Sequence, residues 1–212
     1  LSAVDPGGTW SGTGITNVNN GTFDPNVAGV GTHTITYAIA GQCGDTQTVN
    51  ITVTNTLDAT INPAGPFCVS DAALNLTAVD PGGTWSGTGI TNVNNGTFDP
   101  NTAGAGTHTI TYAISGGCGD TQTVNITVNP DLNATINPAG PFCESDASLN
   151  LTAVDPGGTW SGIGITNANN GTFDPNAAGV GTHTITYAIA GQCGDTQTVN
   201  IIVNTDANAT IN

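Results

Sequence analysis

The chain has 212 residues, with 15 acidic side chains and no lysine or arginine, so its formal charge is −15. A chain without cationic side chains cannot neutralise phosphates, which excludes nucleic-acid binding and attraction to an anionic membrane surface. Hydrophobic residues make up 37% of the sequence and stand in alternating runs, so we expect the chain to fold despite its charge.

The sequence repeats itself with a period of 75 residues. LSAVDPGGTW at Leu1 returns as LTAVDPGGTW at Leu76 and Leu151, and 64 of 75 positions match between residues 1–75 and 76–150. Copies this similar cannot carry separate chemistries, and the period fits one small domain per repeat. Proline-rich and polar clusters place the predicted boundaries. They give a repeat lacking its first strand (1–55), two complete repeats (56–130 and 131–205) and the start of a further repeat (206–212).

The two ends of the chain fall inside repeats. We favour an excerpt cut from a longer protein, so the lack of a signal peptide or transmembrane segment excludes little. Alternatively, the final segment ATIN, Ala209–Asn212, completes the truncated first repeat of a neighbouring chain by strand addition.

Within one repeat the apolar residues alternate with polar ones. Leu74–Ala78, His108–Ile114 and Val124–Val128 have this period of two, and turn formers such as Asp80-Pro81-Gly82-Gly83 separate them. No window shows the period of a helix. These patterns predict an all-β fold of tandem β-sandwich domains, with six or seven strands in each repeat. The predicted core of one repeat includes Trp85, Phe98 and Tyr112.

Five cysteines occupy two positions of the repeat, a GPFC turn and a turn before Gly-Asp. Cys68 and Cys118 are 50 residues apart, as are Cys143 and Cys193, whereas a partner for Cys43 would lie before Leu1. We predict bridges within each repeat, Cys68–Cys118 and Cys143–Cys193, and an oxidising extracellular setting. Such bridges require an even number of chain crossings between the turns, whereas a linear array prefers an odd number of strands, and the sequence leaves this tension open. A zinc site is the weaker alternative.

Three stretches of the second repeat resemble a known module: GPFCVSDAALNLTAVDPGGTWSGTGI, GTFDPNTAGAGTHTITYAI and GCGDTQTVNITV. They are similar to the Ig-like repeats of large secreted surface adhesins and filament proteins of Bacteroidota, the gliding, filament-bearing bacteria. The resemblance covers essentially the whole chain, three times over. It implies an Ig-like fold, export from the cell, and a place on the cell surface or in an external filament.

Few residues suit catalysis. His33, His108 and His183 lie on the apolar faces of their predicted strands, which favours packing over acid–base chemistry. Ser86 and Ser161 have no neighbouring histidine in the sequence and no nucleophile motif. We therefore predict no enzyme and no catalytic residue.

Divalent cations would supply the positive charge that the sequence lacks. The loop aspartates Asp80, Asp99, Asp120 and Asp131 offer oxygen ligands to calcium, although aspartate is also an ordinary turn residue. The predicted repeat junctions give the candidate metal ligands Asp58, Asp131 and Asp206. Calcium is the one cofactor that the sequence suggests.

Three functions fit these observations. The first is a structural and adhesive array, the stalk or filament of an extracellular cell-surface adhesin, with neighbouring repeats or identical chains as its partners. The second is a self-assembling fibre in which chains join by strand donation. The third is a carbohydrate-binding array whose exposed aromatic residues, such as Trp85, grip surface polysaccharide.

Overall fold

The structure is a computed structural model that describes residues 1–207 of the chain. The ATIN segment and most of the predicted further repeat lie outside the described residues. Short strands dominate each repeat, which confirms the predicted all-β fold of tandem Ig-like domains. None of the helices in residues 1–207 has the length and apolar character needed to cross a membrane.

The strands recur at the 75-residue offset of the sequence. The first repeat contains β1 Thr9–Ser11, β2 Ile15–Asn17, β3 Thr22–Phe23, β4 Gly31–Ala38 and β5 Thr46–Val53. The second contains β6 Phe67–Cys68, β7 Leu74–Asn75, β8 Thr84–Ser86, β9 Ile90–Asn92, β10 Thr97–Phe98, β11 Gly106–Ala113 and β12 Thr121–Asn129. The third contains β13 Phe142–Cys143, β14 Leu149–Asn150, β15 Thr159–Ser161, β16 Ile165–Asn167, β17 Thr172–Phe173, β18 Gly181–Ala188 and β19 Thr196–Asn204.

The third repeat shows how seven strands make one sandwich. β18 and β19 pair antiparallel along their whole length, from Gly181↔Val203 to Ala188↔Thr196. β15 adds to β18, and β13 pairs with β19 in parallel, which gives the sheet order β13-β19-β18-β15. A second sheet has the order β14-β17-β16. The alternation of apolar and polar residues along β18 and β19 gives each strand one face for the core.

The core consists of the aromatic and branched residues that alternate along these strands. Trp85, Phe98 and Tyr112 are 4%, 0% and 3% exposed, which confirms the predicted core of the second repeat. Each tryptophan packs on the tyrosine of its own repeat, with ring centroids 4.4–4.6 Å apart. Because this pairing recurs in all three repeats, the tryptophans have a structural role.

One element was not predicted. Each repeat contains a single helical turn: α1 Pro25–Ala28, α2 Pro100–Ala103 and α3 Pro175–Ala178. An aspartate precedes each turn and accepts a hydrogen bond from a backbone N–H two residues later, while proline takes the first helical position. Four residues are too few to show a helical period, so the only sequence signal is the Asp-Pro pair.

The described chain divides into two compact units that do not follow the predicted repeat boundaries. One comprises Leu1–Thr60, Val79–Gly83 and Ala113–Gln122, and the other holds the rest of the second repeat together with the third. The junction between the second and third repeats therefore lies inside one compact unit. The boundaries at 56 and 131 stay a prediction.

Substitution of two glycines whose φ values lie in the left-handed region would test how tightly the core is packed. Gly171 and Gly179 have φ values of +70° and +75°, but a Cβ on Gly171 would lie 2.7 Å from Trp160 Nε1, whereas one on Gly179 meets nothing within 4 Å. Both substitutions to alanine should cost about 1–2 kcal/mol for the backbone, and Gly171→Ala should cost a further ~1–3 kcal/mol for overpacking. Urea denaturation of the two variants measures the difference. Equal losses would show that the contact with Trp160 is not tight.

Candidate functional site: the junction of the second and third repeats

The GPFC segment comes early in the sequence of its repeat but lies in space at the pole where the last strand of the repeat ends. β6 runs parallel to β12, with Phe67 opposite Val128 and Cys68 opposite Asn129, the last residue of β12. In the third repeat Cys143 is opposite Asn204 in the same way. The parallel pairing therefore carries each GPFC cysteine to the pole where its repeat ends.

The second cysteine of each repeat lies at the other pole. Cys193 precedes β19, which begins at Thr196, whereas Cys143 lies beside Asn204 at the end of that strand. The eight residue steps of β19 separate its ends by roughly 27 Å, while a disulfide requires Cα atoms within about 7 Å. The predicted bridge Cys143–Cys193 is therefore wrong, and Cys68–Cys118 is wrong as well, because Cys68 is bonded elsewhere.

The bridge that the structure contains joins two successive repeats. Cys68 at the end of the second repeat is bonded to Cys193 in the β18–β19 hairpin of the third, with the Cα atoms 5.5 Å apart. Cys43, Cys118 and Cys143 are unbridged. The two bonded cysteines are 125 residues apart, which is the predicted spacing of 50 plus one repeat period.

Hydrogen bonds around the bridge hold the same junction. Gln192 Nε2 donates to the carbonyl oxygen of Pro66 at 2.6 Å, and the N–H of Leu132 donates to the carbonyl oxygen of Cys193 at 2.9 Å. The hydroxyl of Ser70 donates to Asp131 Oδ1 at 2.8 Å. Side chains and backbone of both repeats thus converge on one contact, in which the disulfide is the covalent part.

The residues after the junction form the first edge of the third repeat. The N–H of Asn137 donates to the carbonyl of Thr152, and that of Val154 donates to Thr135, so this segment runs antiparallel to residues 152–155. Ala134, fully buried, donates its N–H to Asp195 Oδ2 at 3.0 Å. This bond is the largest cause that holds the pKa of Asp195 below its ordinary value. Asp120 has the same role towards Ala59, with the same direction of pKa shift.

The lowered pKa of Asp195 makes this edge sensitive to acid. Because the folded pKa lies below the unfolded value near 3.8, the stabilisation is complete above that value and is lost as the pH falls through the folded pKa. We expect the amide of Ala134 to lose its protection from hydrogen exchange below about pH 4. In Asp195→Asn this acid-dependent step should disappear.

Hydrogen exchange between pH 5 and pH 2.5, followed by mass spectrometry on the peptide that contains Ala134, measures this effect. Asp5→Asn, which removes one carboxylate from an exposed loop of the first repeat, is the control for lost charge. An unchanged acid-dependent step in Asp195→Asn would contradict the assignment.

The junction between the first and second repeats has similar contacts but no disulfide. The N–H of Leu57 donates to the carbonyl of Cys118 at 3.0 Å, as Leu132 does to Cys193. Thr54 Oγ1, at the position equivalent to Asn129, lies 3.1 Å from Cys118 Sγ. Cys118 therefore lies against the end of the preceding repeat, as Cys193 does.

The predicted calcium ligands each accept hydrogen bonds from other groups of the protein. Asp58 accepts from the N–H and hydroxyl of Thr60, which lowers its pKa, and Asn133 accepts the same backbone bond in the next repeat. Asp131 and Asp206 each accept from a serine hydroxyl, on Ser70 and Ser145. In the next repeat the uncharged Asn133 thus makes the turn contact that Asp58 makes, whereas Asp131 and Asp206 each accept from a serine 61 residues earlier in the chain. Calcium binding at these aspartates stays a prediction.

One group of side chains at the junction has the spacing of metal ligands. The sulfurs of Cys68 and Cys193 and a carboxylate oxygen of Asp131 lie within 4.8 Å of one another, the one such group among residues 1–207. Because the two sulfurs are joined in a disulfide, neither is a thiolate that could bind a metal. This group is therefore part of the bridge.

The side chains considered for catalysis have structural positions. His33, His108 and His183 each place Nε2 2.8–2.9 Å from the carbonyl oxygen four residues earlier. Since a carbonyl oxygen only accepts, this nitrogen carries the hydrogen, and the ring ties the helical turn to the following strand. Ser86 and Ser161 are exposed at the ends of β8 and β15.

Comparisons with known proteins add no argument about the fold or function of this chain. No family model matches, and no curated protein matches. Solved structures that align include mouse cadherin-23 EC22–24 (14% identity, TM-score 0.33, 96% of this chain and 89% of that one) and Drosophila N-cadherin EC1–4 (10%, 0.30, 97% and 69%). A protocadherin gammaB7 EC3–6 cis-dimer structure aligns at 14% identity and TM-score 0.33, over 94% of this chain and 66% of that one. Likenesses this low carry no argument about function.

Proposed function

We propose that the chain is a structural and adhesive extracellular array, in which each repeat supplies length and the junctions transmit load. The observation that carries this proposal is the bridge between Cys68 and Cys193. A covalent bond from the end of one repeat to the hairpin of the next lets tension pass between them without unfolding either. Such a bond requires an oxidising compartment, which supports a place outside the cell.

The sequence supports the same role. Fifteen acidic groups without a cation keep neighbouring arrays apart in solution, and the absence of lysine and arginine removes every cleavage site of trypsin-like proteases. The resemblance to adhesin repeats points to the cell surface. The bacterial origin and the stalk or filament form belong to this proposal.

Carbohydrate binding through tryptophan has less support. Trp85 and Trp160 are each 4% exposed and packed on a tyrosine, so neither offers a face to a sugar ring. No observation on the described residues favours polysaccharide as the ligand.

The array proposal is tested by changing the number of repeats. Duplicating residues 131–205 should lengthen the protein by at least ~30 Å, the length of a nine-residue strand such as β19. The maximum dimension from small-angle X-ray scattering measures this, and antibodies against the chain should label intact source cells from outside. An unchanged maximum dimension, or label confined to the cell interior, would contradict the proposal.

A further inference from the structure

The bridge between the second and third repeats has a carboxylate beside it. The sulfurs of Cys68 and Cys193 and a carboxylate oxygen of Asp131 lie within 4.8 Å of one another. Cys68 is buried, Cys193 is half-buried and Asp131 is exposed, so the three side chains run from the interior of the junction to its surface. All three line a cavity of about 280 Å³. A small ligand therefore has room beside all three groups.

The hydrogen bonds of Asp131 occupy only one of its two oxygens. Ser70 donates to Oδ1 from its hydroxyl at 2.8 Å and from its backbone N–H at 3.4 Å. No group within residues 1–207 donates to Oδ2. The serine thus orients the carboxylate, while Oδ2 keeps its lone pairs for a further partner. Carboxylates that bind metals in proteins are held by outer hydrogen bonds of this kind.

The contacts that hold the junction do not all depend on the disulfide. Gln192 donates to the carbonyl oxygen of Pro66 at 2.6 Å, and the N–H of Leu132 donates to the carbonyl oxygen of Cys193 at 2.9 Å. Because these bonds persist when the disulfide is reduced, the two sulfurs separate only to non-bonded contact. Zinc holds its ligands at about 2.3 Å for sulfur and about 2.0–2.2 Å for oxygen, so ligand atoms around a tetrahedral zinc ion are roughly 3.5–3.8 Å apart. The reduced sulfurs therefore have a spacing that suits this ion.

The charges around the bridge favour a cation in the reduced state. The carboxylates of Asp71 and Asp195 also line the cavity, and the chain contains no lysine or arginine. No side chain of the protein can therefore offset the charge of two thiolates beside these acids, whereas a divalent cation can. Thiolates select zinc-class ions, while calcium takes oxygen ligands. A site with two sulfur ligands is thus distinct from the calcium sites suggested for the loop aspartates.

We propose that, once the bridge is reduced, Cys68, Cys193 and Asp131 bind a thiophilic divalent cation of the zinc class, with water as the fourth ligand. The junction between the second and third repeats then has two closed forms, one joined by a disulfide and the other by a metal ion. The inference goes beyond the proposed array function, because it concerns the same junction under reducing conditions.

The conversion between the two forms balances with a low-molecular-weight thiol as the reductant. Two thiol molecules become one disulfide, and the bond between Cys68 and Cys193 becomes two protein thiols. Binding of Zn²⁺ then releases both thiol protons to solvent, and each sulfur donates an electron pair to the metal. The cation offsets most of the negative charge of its three protein ligands.

The junction between the first and second repeats supplies a matched control variant. The turn at that junction has the same backbone hydrogen bond, from Leu57 to Cys118, but Thr56 occupies the position of Asp131. Asp131→Thr therefore introduces a residue that this turn already accepts, and it removes only the oxygen ligand.

The test uses the 212-residue chain with three cysteines replaced by serine, namely Cys43, Cys118 and Cys143. Only Cys68 and Cys193 then remain. After reduction with a phosphine, which adds no thiol ligand, titration with Co²⁺ should give thiolate-to-cobalt charge-transfer absorption that saturates at one ion per chain, and Zn²⁺ should displace the Co²⁺. The oxidised protein should show no such absorption. Asp131→Thr should weaken Zn²⁺ binding at least tenfold, whereas Asp5→Asn should leave it unchanged.

Hydrogen exchange shows whether the ion is held at the junction. In the reduced protein, Zn²⁺ should slow exchange of the Leu132 amide at least tenfold, because this N–H donates to the carbonyl of Cys193. The effect should be lost in Asp131→Thr. Circular dichroism checks that each reduced protein keeps its β-structure.

Four results would overturn the inference. They are a missing cobalt absorption, equal Zn²⁺ affinity in Asp131→Thr, Zn²⁺ binding without protection of the Leu132 amide, and a reduced chain that unfolds and that Zn²⁺ does not refold. The scattering and surface-labelling experiments on the array involve no metal, so the proposed function is judged independently.

Discussion

Replacing Cys68 with alanine should lower the free energy of unfolding by about 5 kcal/mol, the largest single effect that we expect in this protein. The estimate follows from the loop that the bond to Cys193 closes: 125 residues separate the two cysteines, and the entropy of closing a loop of that size in the unfolded chain has this magnitude. Urea denaturation under oxidising conditions measures the loss.

The control variants follow from the pairing of Cys68 with Cys193. Cys193→Ala should cost the same as Cys68→Ala, and the double variant should cost no more than either, because both remove one bond. Cys118→Ala should have little effect, since Cys118 is unbridged. In the wild-type protein, cleavage before aspartate should leave fragment 58–70 joined to fragment 174–194. A bond from fragment 58–70 to fragment 99–119 would instead restore the pairing within a repeat.

The cysteine pairing shows where sequence reasoning reaches its limit in a repeat protein. Because two repeats share 64 of 75 residues, the same cysteine position recurs in each repeat. A bridge across 50 residues within a repeat and one across 125 residues between repeats are therefore equally compatible with the sequence. The choice depends on which pole of the sandwich Cys68 occupies. That is set by the parallel pairing of β6 with β12, between residues 61 apart in the chain. Bridges inside a repeat require an even number of chain crossings between the two cysteine turns, whereas a linear array prefers an odd number of strands. A bridge between repeats removes this conflict.

Local patterns were sufficient for most of the fold. The predicted strand His108–Ile114 overlaps β11, and Val124–Val128 lies within β12, because alternation over five or more residues reports a face directed to the core. Leu74–Ala78 is shorter than predicted, since only Leu74 and Asn75 form β7. Beyond that strand, Thr77 and Ala78 bond instead to the segment at Ile61. Strand length here depends on a partner that the local pattern does not identify.

Several aspartates of this chain, which has no lysine or arginine, have their charge stabilised by hydrogen bonds. Asp99, Asp120 and Asp195 accept hydrogen bonds from backbone N–H groups or from a threonine hydroxyl, and these bonds lower all three pKa values. Each carboxylate thus satisfies donors that a turn or helix start leaves unpaired. The sequence offered turn chemistry for Asp99 and Asp120, but it did not predict that Asp120 and Asp195 would hold the first segment of their repeats.

Phe173→Ala should destabilise the third repeat by about 3–5 kcal/mol, the second large effect that we expect. Phe173 is 0% exposed in the centre of the three-stranded sheet, and its ring lies 5.8 Å from that of Phe142. Truncation loses the burial of the ring and leaves a cavity between the two sheets. Phe23, the equivalent residue of the first repeat, is only half-buried, so Phe23→Ala should cost less.

Each repeat contains one tryptophan, which allows the two losses to be measured separately. With Trp10 and Trp85 replaced by phenylalanine, the fluorescence of Trp160 during urea denaturation reports the third repeat, and the converse background with Trp10 alone reports the first. A loss for Phe23→Ala as large as that for Phe173→Ala would mean that the first repeat is as closed as the third.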